Sequence, residues 1–162
     1  MSSIVIVTTG GTIDKAYFDA LSTYQVAEPM VSHLLKVARV DCPWRVVELL
    51  RKDSLELTDA DRELLRETVA SLDTSRVVVT HGTDTMTQSA GVLAGVKDKT
   101  IVMTGSLAPA RFSESDATFN LGMAVAAVQV LPPGVYIAMN GQIFRGDAVR
   151  KDREQGRFVA TQ

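Results

Sequence analysis

Ile4-Val5-Ile6-Val7-Thr8-Thr9-Gly10-Gly11-Thr12 is the stretch on which the fold turns: four β-branched residues run into two threonines, two glycines and a third threonine. β-Branched side chains fit a pleated, buried surface, so residues 3–8, SIVIVT, are predicted to form a short buried strand. A plain turn needs one or two glycines but no fence of hydroxyls. What the glycines are for depends on what stands at the ends of the other strands.

Outward from this stretch, apolar patterns alternate in type. EPMVSHLLKVARV reads as a helix, with Pro29 in its first turn and Met30, Leu34, Val37 and Ala38 along one face. WRVVELL reads as a second strand. TDADRELLRETVASLD reads as a helix capped by Thr58, with acids in its first turn and Leu64, Leu65, Val69 and Leu72 on one side. SRVVVT is a third strand, followed by a helix over 85–94, and KTIVMTG is a fourth. A long helix over 116–130 stops at Pro132-Pro133-Gly134, and VYIAMN is a fifth strand. Past Asn140-Gly141, a pair common in tight turns, QIFRGDAVRK is predicted to form a short hairpin. Strands apolar on both faces and separated by helices imply a parallel sheet covered on both sides. The predicted fold is α/β: one three-layer α/β/α domain over 1–162, with a mainly parallel five-stranded sheet and flavodoxin/Rossmann-like winding through right-handed crossovers.

The totals fit this and exclude other classes. A chain of 162 residues suits one domain, and 46% hydrophobic with 22% charged residues supplies an ordinary core. A net charge of −2 with no basic stripe argues against nucleic-acid binding. Apolar runs fall short of the roughly 20 residues of a membrane span. The N-terminus shows no basic leader with an apolar core, so a secretory signal is not expected. Cys42 is alone and His33 and His81 are the only histidines, so neither a disulfide nor a metal site is expected within one chain. These features together predict a reduced, cytoplasmic protein that touches neither nucleic acid nor membrane.

Open α/β sheets bind ligands beyond the C-terminal ends of their strands. Those positions hold Thr9-Gly10-Gly11-Thr12, then RKDSLELT, then His81-Gly82-Thr83-Asp84-Thr85, then Gly105-Ser106, and last the segment leading to Lys151. Hydroxyls, glycines, one aspartate and one lysine thus collect where a ligand is expected. A threonine hydroxyl is a poor nucleophile unless a base takes its proton or a cation favours the alkoxide. Thr83, Lys151 and Asp84 are candidates for such a group, with lysine acting as base only where burial or positive neighbours lower its pKa. Glycines let backbone N–H groups approach a substrate, and paired N–H groups make an oxyanion hole. Asp84 can hold an ammonium, and Ser54 with backbone N–H groups a carboxylate. The set suits hydrolysis of an amide carried on a small amino acid. A phosphate cradle is the rival use of Gly10-Gly11, but neither G-x-G-x-x-G nor G-K-[ST] follows.

TGGTI (9–13) and HGTDTM (81–86), each following a strand, resemble the two signature motifs of the bacterial-type L-asparaginase family. DSLELT, IVMTGSLAP, FNLGMAV and GDAVRK extend the resemblance over essentially the whole chain. The resemblance implies that Thr12 is the nucleophile forming an acyl-enzyme with the side-chain amide. It implies that Thr83, Asp84 and Lys151 form a second catalytic group, and that Asp84 also binds the α-ammonium of L-asparagine. Ser54 resembles the residue holding the α-carboxylate, Gly11 lies among the substrate-binding residues, and Ser106 sits where a main-chain carbonyl takes the amide nitrogen. The tyrosine that assists the first threonine is Tyr24 by its flanking pattern or Tyr17 by its distance from Thr12. No metal or organic cofactor is implied.

Three departures stand out. Asp14 follows Thr12-Ile13 where the family prefers a very small residue, and Leu55 stands where secreted members often carry glutamine. Family members also run to about double this length, with a C-terminal domain that completes a neighbouring subunit's site; the 162 residues hold no counterpart of it, as expected of either a natural short form or a domain fragment. An open one-domain site is expected to be covered in a homo-oligomer, a dimer or a dimer of dimers. A non-catalytic amino-acid-binding domain and an ammonia-donating amidotransferase module are the competing readings.

Overall fold

In the computed structural model, which describes residues 3–162, the chain forms ten strands and four α-helices. β1 (Ile4–Gly10) leads through a 3-10 turn (Thr12–Asp14) into a small hairpin of β2 (Lys15–Phe18) and β3 (Thr23–Val26). α1 (Val31–Val37) returns the chain to β4 (Trp44–Lys52). α2 (Asp59–Ser71), β5 (Arg76–Thr80), α3 (Met86–Leu93), β6 (Thr100–Thr104), α4 (Ala117–Val130) and β7 (Gly134–Met139) follow as successive crossovers. β8 (Gln142–Arg145) and a second hairpin of β9 (Val149–Asp152) and β10 (Arg157–Ala160) complete the chain.

The parallel strands lie in the order β4-β1-β5-β6-β7, the flavodoxin-like winding in which the first strand sits inside the second. Side chains alternate faces along each strand. Val5, Val7, Val77 and Val79 pack with Leu65 and Val69 of α2 and Met86, Ala90 and Leu93 of α3. Ile4, Ile6, Val78 and Val102 pack with Val31, Leu34 and Leu35 of α1 and Leu121, Ala124 and Val125 of α4. Both faces are covered, so the three layers form as the apolar runs predict. Burial of each such aliphatic side chain contributes about 1.5–3 kcal/mol.

The sheet has six strands rather than five. Asn140 and Gly141 both adopt positive φ, 53° and 69°, so the chain folds sharply back and β8 pairs antiparallel with β7. The predicted hairpin within QIFRGDAVRK therefore does not form as one unit. Its first half joins the main sheet, and its second half, β9, pairs with β10.

α1 is also shorter than predicted. Pro29 precedes it, and its buried residues are Val31, Leu34 and Leu35, while Val37 is exposed. The start is fixed from outside the helix, because the Met30 N–H is donated to Asp14 Oδ1 at 3.0 Å. On α2, Leu65 and Val69 are buried and Leu64 faces solvent. Thr58 caps α2 as predicted: its hydroxyl accepts from Asp61 N–H, and the Asp61 carboxylate accepts from Thr58 N–H. Thr58→Ala leaves the Asp61 N–H without its partner and is expected to cost about 1 kcal/mol, read as a lower thermal midpoint.

Candidate functional site

The winding reverses between β1 and β5, where an open sheet of this order forms its crevice. The loops after these strands are in contact. Gly10 and Gly11 hold φ of 101° and 90°, a region that favours glycine. A Cβ on Gly11 would lie 2.5 Å from the backbone nitrogen of Gly82. A Cβ on Gly82 would in turn lie 2.6 Å from Cβ of Ser54, which begins the turn after β4. Gly105, after β6, is as tightly placed, since a Cβ there would meet the His81 carbonyl oxygen at 2.2 Å. The four strand-end loops therefore nest without room for a side chain between them. The Gly11 N–H is itself donated to the Lys52 carbonyl at 2.9 Å. What Gly11 offers the site is space for close approach.

The three threonines around the glycines have separate roles. Thr8 and Thr9 are fully buried, and the Thr9 hydroxyl donates to the Thr80 carbonyl at 2.8 Å, fastening β1 to β5. Thr12 alone is half-exposed, on the 3-10 turn beyond the glycines. The Ile13 carbonyl accepts from Ala110 N–H, so the 105–115 loop holds that turn from the other side.

After β5, Thr83 and Asp84 meet Lys151. The Lys151 ammonium donates to Thr83 Oγ1 at 2.7 Å and to Asp84 Oδ1 at 2.8 Å. Lys151 reaches this point because Val149, two residues earlier on the same face of β9, is buried in the core. Its cross-strand partner Phe158 is fully buried, and Phe158 N–H is donated to Asn140 Oδ1 at 2.7 Å. The second hairpin is thus a bracket that carries a lysine. α3 is capped by Thr85 without a side-chain hydrogen bond, so the Asp84 carboxylate is not used as a helix cap. The Thr85 hydroxyl instead donates to the Ser54 carbonyl at 2.8 Å and ties the β4 loop to the β5 loop.

Neighbouring groups set the electrostatics. Burial pushes the Asp53 carboxyl up, but the Leu55 N–H bond and the Lys15 and Lys151 ammonium groups outweigh it and hold the pKa below the ordinary value. Burial lowers the His81 pKa to about 4. The Gly82 carbonyl, 2.6 Å from His81 Nδ1, can only accept; Nδ1 therefore carries the proton, and Nε2 accepts from the Ser89 hydroxyl at 2.7 Å. A neutral His81 in this tautomer fixes the Gly82 peptide, consistent with a structural residue at a strand end.

Tyr17 and Tyr24 lie directly opposite each other on the β2–β3 hairpin, ring centroids 5.2 Å apart, and each is about half exposed. The Tyr24 ring also meets Phe112 edge-on at 5.6 Å. Ser106 is buried with its hydroxyl turned to the Ala108 carbonyl. Three features escaped the sequence. Arg153 lies 3.6 Å from Asp84 Oδ1 and adds a second cation there. The Asp116 carboxylate accepts from the N–H groups of Leu107 and Ala108, shaping the loop after β6. Arg111 donates to the carbonyls of Asp14, Lys15 and Glu28, and its stem reaches across both ends of the hairpin. Only the second lysine-like charge in KDR, two residues after Lys151, offered a local signal.

Comparisons with known proteins bear on the family and the fold. The sequence profile of the family described as "Asparaginase, N-terminal" matches residues 3–158. The glutaminase-asparaginase of Acinetobacter glutaminasificans is 35% identical over 164 residues, covering 93% of this chain and 50% of that protein. A solved structure described as a probable cytoplasmic L-asparaginase from Campylobacter jejuni superposes with a TM-score of 0.82 at 29% identity, over 99% of this chain and 52% of the other. The thermostable L-asparaginase from Thermococcus kodakarensis, at 24% identity, shares the fold with a TM-score of 0.83 over 98% of this chain and 51% of its own. The chain spans about half the length of the curated relatives it matches. With motif, winding and profile in agreement, the chain belongs to the asparaginase N-terminal family.

Proposed function

We propose that this chain carries an amidohydrolase site that converts L-asparagine to L-aspartate and ammonia through an ester on Thr12. The observation that carries the reading is the Lys151 ammonium bonded to both Thr83 and Asp84, beside the Gly11–Gly82 contact that brings the Thr12 turn alongside. Thr12 Oγ1 attacks the side-chain amide carbon, and backbone N–H groups of the strand-end loops hold the oxyanion. The C–N bond breaks, ammonia leaves with the proton that Thr12 gave up, and an ester remains. Water then attacks that ester and regenerates the hydroxyl. Thr83 with Lys151 moves protons to and from the nucleophile or the water, Asp84 holds the α-ammonium, and Ser54 the α-carboxylate. Either tyrosine of the hairpin is placed on the segment directly after Thr12 and serves as its assistant.

The reading includes a homo-oligomer in which a second copy covers the open site, checked by light scattering of the active species. The test of the activity is ammonia release from L-asparagine and L-glutamine by the purified chain, with Lys151→Met alongside. The wild type is expected to release ammonia. Lys151→Met is expected to lose about 10²–10⁴-fold in kcat, the range for a positioned proton-transfer group, while remaining folded. No release by the wild type, with asparagine still raising the thermal midpoint, would leave an amino-acid-binding domain instead.

A further inference from the structure

Asp14 occupies an unusual place. Its side chain is fully buried, and Oδ2 has no hydrogen-bond partner among the described residues. Its other atoms join the two ends of the β2–β3 excursion. Oδ1 accepts from Met30 N–H at 3.0 Å, and the backbone carbonyl accepts from Ala27 N–H at 2.9 Å and from Arg111 at 2.8 Å. Asp14 N–H is donated to the Gly11 carbonyl at 3.1 Å, closing the 3-10 turn on which Thr12 sits. One residue therefore holds the Thr12 turn, the hairpin base and the start of α1.

We propose that Asp14 is a positioning residue whose buried carboxyl, by gaining or losing its proton, governs how firmly the hairpin and the Thr12 turn are seated. A buried carboxylate oxygen without a donor is costly when charged and far less so when neutral. Parting the hairpin ends lets water reach the charged form, so ionisation favours the loosened arrangement. The charged groups that act on Asp14 are Arg111 from the 105–115 loop and Glu48 and Arg51 from β4. Burial raises its pKa from 3.8 to about 6, against the Met30 N–H bond, Arg111 and Arg51, and with Glu48. The stability from this raised value is present in full below the ordinary carboxylate range and is lost as pH rises through about 6.

The experiment is hydrogen exchange of the 15–26 segment in the full chain at pH 5 and pH 8, corrected for intrinsic rates, with β5 as the internal standard. In the wild type, hairpin protection relative to β5 is expected to fall at least about fivefold between these values. Asp14→Asn keeps an acceptor for Met30 N–H and carries no charge, and it is expected to protect the hairpin equally at both. Equal pH dependence in the two proteins, or none in the wild type, overturns the proposal. Should the variant not fold, carboxyl NMR of the wild type decides: titration near the ordinary aspartate value overturns it and titration near 6 supports it. The consequence for catalysis rests on Thr12 as nucleophile, and predicts a limb near pH 6 in kcat/KM that Asp14→Asn lacks. The exchange measurement needs no turnover, so failure of the amidohydrolase reading and failure of this one are separable.

Discussion

Thr12→Ala is expected to lower ammonia release from L-asparagine by at least about 10³-fold, the scale seen when a nucleophile is removed and only binding and oxyanion stabilisation remain. The loss should come without unfolding. Thr12 is half-exposed on a turn held by its neighbours' backbone bonds. Truncation at such a position normally moves stability by no more than about 0.5 kcal/mol. Thr9→Ala is the contrast. It removes the buried hydroxyl bond to the Thr80 carbonyl, at a cost of about 1 kcal/mol. Initial rates and thermal midpoints of the pair separate a reacting hydroxyl from a fastening one. If Thr12→Ala keeps its rate, or Thr9→Ala is the silent one in stability, the assignment of the two threonines is wrong.

Gly11→Ala is expected to be the most disruptive single-methyl change in the site. The added Cβ would sit 2.5 Å from the nitrogen and 2.6 Å from Cα of Gly82, at a φ of 90°. Both obstacles are backbone, and that backbone is held by His81. Neither can step aside as a flexible side chain would. The strain and the displaced loop together should cost about 2–5 kcal/mol, lowering the thermal midpoint by about 5–15 °C for a chain of this size. Turnover should fall more than about 10²-fold even in the folded fraction, since a shift on the order of 1 Å between reacting groups is enough. Gly91→Ala is the control: it lies in α3, with nothing within 4 Å of the added Cβ, so a small gain in stability is expected.

The gathering of the strand-end residues was legible because its motifs are local. Thr9 to Thr12 and His81 to Thr85 each stand directly after an apolar run, and the parallel-sheet rule alone brings them together. Lys151 was legible as a residue but not as a geometry. Its delivery depends on Phe158 and Asn140, which no pattern around KDREQG links to Thr83. The β2–β3 hairpin was not legible, since KAYFDALSTYQV puts aromatics on exposed positions and turns through a 3-10 segment with Ser22 at φ 47° rather than through Asn-Gly. The buried face of α1 was misread because a seven-residue helix offers too few turns for periodicity to outweigh packing against α4. Arg111 clamps carbonyls far away in sequence, and backbone acceptors leave no mark in composition.

The position of β1 also has a consequence for how the chain comes into being. β1 is flanked by β4 and β5, so neither of its partners exists when it leaves the ribosome. At roughly 5–20 residues per second, seconds pass before Arg76–Thr80 can dock. During that interval Ile4, Val5, Ile6 and Val7 form a nascent apolar ribbon with at least one edge open, the kind of segment that recruits aggregation partners. A strand enclosed on both edges in the finished domain is thus the first strand of the sheet to be made. Yield in expression should therefore respond to translation speed and chaperone supply more than to the stability of the completed sheet.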